Sequence, residues 1–392
     1  MLESEFSKWP LFSPEEGDAV RNVLLSNKVN YWTGSECRNF EEEFAAYCNA
    51  SFAVALSNGT VALELALKSM DIGVNDEVIV TSRTFIASAS SIVNVGATPI
   101  FSEVDIDTQN ITAEFIRPLI SNKTKAIICV HLAGMPCEMK SIMQIAESEG
   151  LYVIEDCAQA HGAKYYGKSV GTFGHIGAWS FCQDKIITTG GEGGMITTND
   201  KVLWSKIWSL KDHGKNNEKL SKQSIGQNFK WIHDSIGSNY RMTEMQAVIG
   251  RIQLKKLDYW IELRTKNAEK ILKACESFPT SLNVFKPKKH IKHAWYKCYV
   301  FLKPDGLKSG WNQERIISLI NNEGVPCFSG ACPEVYLEKA FIDKNYGPEN
   351  FHPNARKLGV TSLMFLVHPS LTQSEIDKTC QVIISAMGKA SR

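Results

Sequence analysis

The chain has 392 residues, enough for roughly two or three domains with a large buried core. Its 43 basic and 42 acidic side chains leave a formal net charge of +1, so overall charge favours neither nucleic acid nor an anionic membrane as a partner. The first residues lack the basic-then-apolar pattern of a leader, and no run of about 18 apolar residues occurs. The sequence therefore predicts a soluble cytoplasmic protein.

Eleven cysteines are scattered singly through apolar stretches, for example at Cys129 and Cys157. This distribution is typical of reduced thiols in a core and not of a disulfide framework. The closest pair, Cys327 and Cys332, has no second Cys/His pair at zinc spacing. No metal site is predicted.

Short apolar runs rich in β-branched residues alternate with helical patterns between about residues 52 and 200. This alternation predicts an α/β fold with a large, mostly parallel mixed sheet and helices on both faces. Such sheets bind ligands at the carboxyl ends of their strands. The strand candidates are residues 77–80, 98–101, 126–130, 152–154 and 194–197.

The first informative segment is Ser57-Asn58-Gly59-Thr60, directly before an apolar helical pattern. Free backbone N–H groups and the positive end of a helix dipole favour a phosphate there, and Gly59 permits close approach. Ser, Asn and Thr are also ordinary helix caps. By itself, the segment therefore leaves both a plain cap and a phosphate seat open.

A second segment places Glu155 and Asp156 at the end of an apolar strand, with Gln159 three residues after the second acid. A carboxylate in this position commonly caps a helix or binds a ligand. We take Asp156 as the candidate ligand-binding acid. Gln159 is either a second ligand contact or a solvated amide in a turn.

Residues 177–194 form the most informative segment: a short strand delivers Ser180, and Lys185 follows before a turn containing four glycines. A lysine amine can form an imine with the aldehyde of pyridoxal 5'-phosphate (PLP) and later move a substrate proton. With this cofactor, Asp156 would keep the pyridine nitrogen protonated, and Gln159 could hydrogen-bond the phenolic oxygen. A lone lysine is usually a surface charge. The prediction that Lys185 binds PLP therefore depends on the strand before it and the glycine-rich turn after it.

Residues 211–237 are polar and lack periodicity, which predicts a long loop over or beside a site. The loop meets a predicted helix at Asn239 and Arg241, which could contact an anion or serve as a cap. Thr243 and Gln246 have capping-box spacing, and an apolar stripe continues towards Trp260. We expect this helix to link two domains.

The rest of the chain has helical patterns at residues 271–278, 313–322 and 374–387, with a strand-like run at 295–301. This mixture predicts a smaller C-terminal α+β domain. The predicted division is a large domain of residues 1–250, including an N-terminal arm, and a smaller domain of residues 251–392.

Together, these motifs strongly resemble the DegT-type sugar aminotransferase family, a branch of the fold-type I (aspartate aminotransferase-like) PLP enzymes. The resemblance runs from about Trp32 to Gln246 and weakens towards His368 and Pro369. Some dehydratases of the family carry His at the lysine position, so Lys185 favours transamination.

The resemblance implies a role for each motif residue. Gly59, Thr60 and Ser180 would hold the cofactor phosphate, and Phe85 would stack on the pyridine ring. Asp156 would pair with the ring nitrogen, Gln159 would lie near the phenolic oxygen, and Lys185 would form the Schiff base. Asn239 matches an asparagine that reaches the phosphate from the neighbouring subunit, which implies a homodimer with shared active sites.

Three functions remain open from the sequence. The first is transfer of an amino group, by resemblance from glutamate, to a nucleotide-linked keto-deoxy sugar for surface polysaccharide. The second is the same chemistry on a free keto sugar acid such as an oxidised octulosonate, and the third is a non-catalytic regulator with a PLP fold. The candidate substrate contacts are Trp32, Thr33, His233, Tyr240 and Arg241.

Overall fold

The computed structural model describes residues 6–221 and 231–392, apart from the side chain of Ser221. Within these residues, the strands are β1 (Phe52–Leu56), β2 (Glu77–Thr81), β3 (Thr98–Ser102), β4 (Thr124–Val130), β5 (Tyr152–Asp156), β6 (Lys164–Tyr165), β7 (Lys168–Ser169), β8 (Ile176–Ser180), β9 (Gly194–Thr198), β10 (Leu282–Asn283), β11 (Ile291–Lys292), β12 (Cys298–Leu302), β13 (Cys327–Phe328) and β14 (Ser362–Phe365). The α-helices are α1 (Pro14–Leu25), α2 (Glu36–Cys48), α3 (Gly59–Ser69), α4 (Ala87–Asn94), α5 (Ala113–Ile116), α6 (Met139–Glu149), α7 (Lys201–Lys211), α8 (Asn217–Ser221), α9 (Glu244–Cys275), α10 (Gln313–Asn322), α11 (Lys339–Ile342), α12 (Pro353–Thr361) and α13 (Gln373–Ala390).

Seven strands form one sheet in the order β1-β9-β8-β5-β4-β2-β3. The pairs from β8 to β3 are parallel, and β9 runs antiparallel to both of its neighbours. The predicted α/β fold with a mostly parallel mixed sheet is therefore confirmed. All five strand candidates belong to this sheet, and β1 and β8 complete it.

Helices cover both faces of this sheet because successive side chains of a strand point to opposite sides. Val78 and Val80 pack in a core with α3, α4 and α7, whereas Ile79 between them packs in a core with α6. A third cluster joins α2 and α9 around Phe40 and Phe44. The sheet is therefore buried on both faces, as its continuous apolar strands require.

A second sheet, in the order β10-β12-β14-β13, packs with α10, α13 and the last part of α9 in a core of its own. The strand-like run at 295–301 begins as a strand only at Cys298, because Trp295 has a left-handed φ of 50°. The predicted helix at 271–278 is the end of α9, which runs unbroken from Glu244. Because α9 also runs through residue 250, the division at 250/251 stays a prediction.

The described part of the polar stretch at 211–237 includes a short helix, α8, where the sequence predicts a loop without regular structure. Residues 222–230 of this stretch lie outside the described residues. The capping box is confirmed, since the N–H of Thr243 donates to Oε1 of Gln246 at 2.9 Å and the N–H of Gln246 donates back to Oγ1 of Thr243. Among the described helices, none is both long and apolar enough to cross a membrane.

Candidate active site

A cavity of about 1160 Å³ opens at the carboxyl ends of the parallel strands. Asp156 and Ser180, the last residues of β5 and β8, lie in its wall. Tyr296, which lies two residues before β12, and Tyr299, within β12, also line the cavity. Seven predicted cofactor residues line this one cavity, namely Gly59, Thr60, Phe85, Asp156, Gln159, Ser180 and Lys185.

The N-terminus of α3 forms one end of the cavity. The side chain of Asn58 caps the helix by accepting from the N–H of Val61 at 2.9 Å, and within the described residues no acceptor takes the N–H groups of Gly59 and Thr60. A Cβ at position 59 would lie 2.6 Å from the Cβ of Ser180. The missing side chain thus lets the helix end approach Ser180 and leaves donors for an anion.

Asp156 is buried, and both of its oxygens accept hydrogen bonds. Oδ2 accepts from Oγ of Ser88 at 2.7 Å, and Oδ1 accepts from the N–H of Ala158 at 3.1 Å. Burial raises the pKa of Asp156, against the lowering effects of these bonds and of the charge on Lys185. A cationic group placed against this carboxylate would restore its charged form, so the site suits a protonated ring nitrogen.

Phe85 and Gln159 are two further predicted cofactor residues in the cavity wall. Phe85 is 67% exposed, which is unusual for a large apolar side chain in a cavity wall unless a ligand covers it. Gln159 accepts from the N–H of Ala133 at 2.7 Å through Oε1. This bond fixes the orientation of the amide and leaves its NH₂ group as the donor for a ligand.

Lys185 lies inside the cavity, with 17% of its side chain exposed. Its Nζ is 3.8 Å from Oδ1 of Asp184 and 5.2 Å from the centroid of the Tyr296 ring, and the Tyr296 hydroxyl donates to Oδ2 of Asp184. Burial would raise the pKa of Asp184, but the charge of Lys185 and the Tyr296 hydrogen bond outweigh it and keep that pKa below its usual value. The indole of Trp9 donates to the carbonyl of Lys185 at 2.8 Å and anchors the turn.

The sequence did not reveal Ser88, Asp184 or Tyr296 as site residues. Asp184 could have been considered because it precedes Lys185. Ser88 and Tyr296 have no local signal, since one lies on α4 and the other more than 100 positions beyond Lys185 in the chain. Only the folded chain brings them to the acid and the amine.

Six other predicted residues lie outside this cavity in a single subunit. Arg241 donates to Oδ1 of Asp212 at 2.7 Å, and the backbone of Asn239 pairs with that of Asp212. The carbonyl of Tyr240 accepts from the N–H of Ser57, so this segment borders the loop before α3. The six residues are Trp32, Thr33, His233, Asn239, Tyr240 and Arg241, and their roles stay predictions.

Glu155, next to Asp156, is bonded to other groups of the protein and does not line the cavity. Its carboxylate accepts from the N–H groups of Gly171, Phe173 and Gly174, and lies 3.0 Å from Nε2 of His131. Ligand atoms of His131, Glu155 and Cys157 lie within 4.8 Å of one another. Because the acid and both ring nitrogens of His131 are engaged with protein groups, this buried network holds the strand end that presents the cavity acid.

Comparisons with known proteins match nearly the whole chain to aminotransferases. The model of the DegT/DnrJ/EryC1/StrS aminotransferase family matches residues 11–384. GDP-perosamine synthase from Escherichia coli O157:H7 is 37% identical over 378 residues, which are 95% of this chain and 96% of that protein. An aminotransferase structure from Psychrobacter cryohalolentis is 56% identical with a TM-score of 0.96, covering 98% of this chain and 99% of that one. DesV from S. venezuelae is 30% identical with a TM-score of 0.84, covering 95% and 94%.

Aminotransferases of this family depend on PLP, and the cavity fits that cofactor. The helix end beside Ser180 suits its phosphate, the buried acid suits its ring nitrogen, and the enclosed lysine suits its aldehyde. The chain belongs to the DegT/DnrJ/EryC1/StrS aminotransferase family and is a PLP-dependent sugar aminotransferase.

Proposed function

We propose that this enzyme moves an amino group from glutamate to a nucleotide-linked keto-deoxy sugar that is used in a surface polysaccharide. The observation that carries the proposal is the convergence of Lys185, Asp156 and the α3 N-terminus on one cavity. The name of the 37% identical relative, GDP-perosamine synthase, supports an acceptor joined to a nucleotide.

In this proposal, each group of residues binds a different part of the cofactor. PLP supplies an aldehyde that exchanges amino groups and a ring that withdraws electrons from the reacting carbon. Gly59, Thr60 and Ser180 bind its phosphate, and Asp156 holds the proton on its ring nitrogen. Phe85 and Gln159 fix the plane of the ring.

Lys185 has two tasks, of which the first is to bond the aldehyde end of the cofactor. Its second task would be to take the proton from the α-carbon of the amino-acid donor and to hold it while the amino group is transferred. Asp184 and Tyr296 keep this amine at the reacting centre. The limited exposure of Lys185 restricts the access of water to the proton.

A homodimer with shared sites accounts for the residues outside the cavity. We propose that Asn239 contacts the cofactor phosphate of the partner subunit, and that Trp32, Thr33, His233, Tyr240 and Arg241 contact the substrate bound there. We assign the reaction to the cytoplasm, because all eleven cysteines have free thiols and eight of them are buried. The regulator hypothesis is not retained, since the chain belongs to an enzyme family and seven of the eight predicted cofactor residues line one cavity.

The test begins with the spectrum of the purified protein incubated with PLP. We expect a band near the visible edge of the ultraviolet that fades when glutamate is added and that is absent in Lys185→Ala. The glutamate-treated protein is then offered a panel of keto sugars. A protein that takes up no PLP would contradict the proposal, and return of the band only with a keto sugar acid would replace the nucleotide-linked acceptor.

A further inference from the structure

Lys297, the residue directly before β12, is the second lysine in the cavity wall. Its ammonium lies 4.8 Å from the centroid of the Tyr296 ring, and the ammonium of Lys185 lies 5.2 Å from the same centroid. The two amines therefore lie around one aromatic side chain. This places Lys297 close to the centre where the proposed chemistry takes place.

The nearby acid is already committed to other partners. Asp184 has one oxygen facing Lys185 and the other accepting from the hydroxyl of Tyr296. Among the described residues, Lys297 forms no ion pair of its own. A half-buried ammonium without an ion pair can bind an anion without first breaking a salt bridge within the protein.

Lys297 is one of only two basic residues among the described residues that line the cavity. The acidic residues in its described wall are Asp156, Asp184, Glu192 and Glu338, and the basic ones are Lys185 and Lys297. A carboxylate that enters among these acids needs a cation to compensate for lost hydration. Lys185 cannot supply it, because its amine is used in the proposed transfer.

We propose that Lys297 binds a carboxylate of the amino-acid donor and thereby positions the donor for transfer at Lys185. This inference rests on the proposed function and deepens it, because it assigns donor recognition to one residue. Lys297 is a specificity-determining residue that touches the donor.

The protonation of Lys297 adds a pH dependence to this binding. Burial lowers its pKa to about 8, against the raising effect of Asp184 and together with the charges of Arg264 and Lys185. Tyr296 and His368 also face this amine. Since the protonated form binds a carboxylate, donor affinity is expected to be full below about pH 8 and to fall above it.

The experiment compares Lys297→Met and Lys297→Arg with the unaltered enzyme. The donor half-reaction is followed in single turnovers as the PLP band fades at increasing glutamate concentration. In Lys297→Met, we expect the half-saturating glutamate concentration to rise about tenfold or more, since a charge-assisted contact is lost. Lys297→Arg keeps the charge, so it should recover most of this affinity and show no fall above pH 8.

A binding measurement gives a readout that does not depend on turnover. Calorimetry measures 2-oxoglutarate binding to the PLP-loaded protein, with which this keto acid cannot exchange an amino group. Lys297→Met should weaken this binding by a factor similar to that for glutamate. The matched control is Lys292→Met, since Lys292 lies outside the cavity and pairs with Asp258, and it should change neither value.

Three outcomes in Lys297→Met would overturn the inference. The first is unchanged affinity for glutamate and 2-oxoglutarate. The second is a loss of PLP affinity, which would make Lys297 a cofactor residue, and the third is a change confined to the keto sugar half-reaction. If instead the unaltered protein binds no PLP or reacts with no amino acid, the proposed function fails, and the two failures are thus distinguishable.

Discussion

Gly59 shows how a missing side chain can define a binding site. The first residue of α3 approaches Ser180 so closely that any Cβ would lie 2.6 Å from the serine Cβ. The proposed phosphate seat requires that empty volume, because a side chain there would push the helix end away from Ser180. The same position is therefore sensitive to the smallest possible enlargement.

We expect Gly59→Ala to weaken PLP binding by roughly 10- to 100-fold, because forcing an extra methyl group into a packed site costs about 1–3 kcal/mol. The measurement is the dissociation constant of PLP from the spectral band. The matched control is Gly17→Ala in α1, where an added Cβ meets nothing within 4 Å. Equal PLP affinity in both variants would argue against a phosphate seat at this helix end.

Helix α9 begins at a cap that the sequence predicts and continues further than the sequence indicates. Thr243→Ala removes the N-cap oxygen, so we expect the free energy of unfolding to fall by about 1 kcal/mol. Denaturant titration measures this change. Thr265→Ala is the control in the same helix, since within the described residues the Thr265 hydroxyl donates only to the carbonyl of Ile261, and alanine favours a helix. An unchanged midpoint in Thr243→Ala would show that the cap adds no stability.

Elements with a local signal were predicted well. Six of the seven strands of the large sheet, the cap at Thr243 and α10 follow from residue pattern alone, whereas β1 was not predicted. Several cofactor candidates, such as Asp156, lie where a strand ends or a helix begins. The misplaced start of β12 depends on the left-handed conformation of Trp295, which tertiary contacts impose against its usual preference. The contact of Ser88 with Asp156 joins α4 to β5, and no sequence period records such a contact.

At the scale of the whole molecule, the proposed role of Asn239 in the partner's site predicts that two impaired variants can complement each other in a mixed dimer. Lys185→Ala and Asn239→Ala should each be impaired alone. If Asn239 acts in the partner's site, a mixed dimer has one intact site, so random mixing should restore about a quarter of the activity. Activity is measured in the whole dimer population after co-expression of the two variants.

A second pairing controls for subunit exchange itself. Lys185 and Asp156 line the same cavity of the same subunit, so Lys185→Ala mixed with Asp156→Asn should restore nothing. Recovery in neither mixture would place Asn239 in its own subunit's site or show that no shared site exists.

Because α9 and the residues after it pack against α2, the core around Phe40 and Phe44 cannot form until these later parts of the chain have been synthesised. Phe40 and Phe44 pack in a cluster that includes Leu257 and Ile261 of α9, followed by Ala294 and Tyr296. A nascent polypeptide that has emerged only to residue 250 therefore lacks these four residues and Leu254 of the same cluster, and leaves aromatic surface open to water. The large sheet gains its full covering only after translation has passed Tyr296, the residue whose ring centroid lies 5.2 Å from the Lys185 amine.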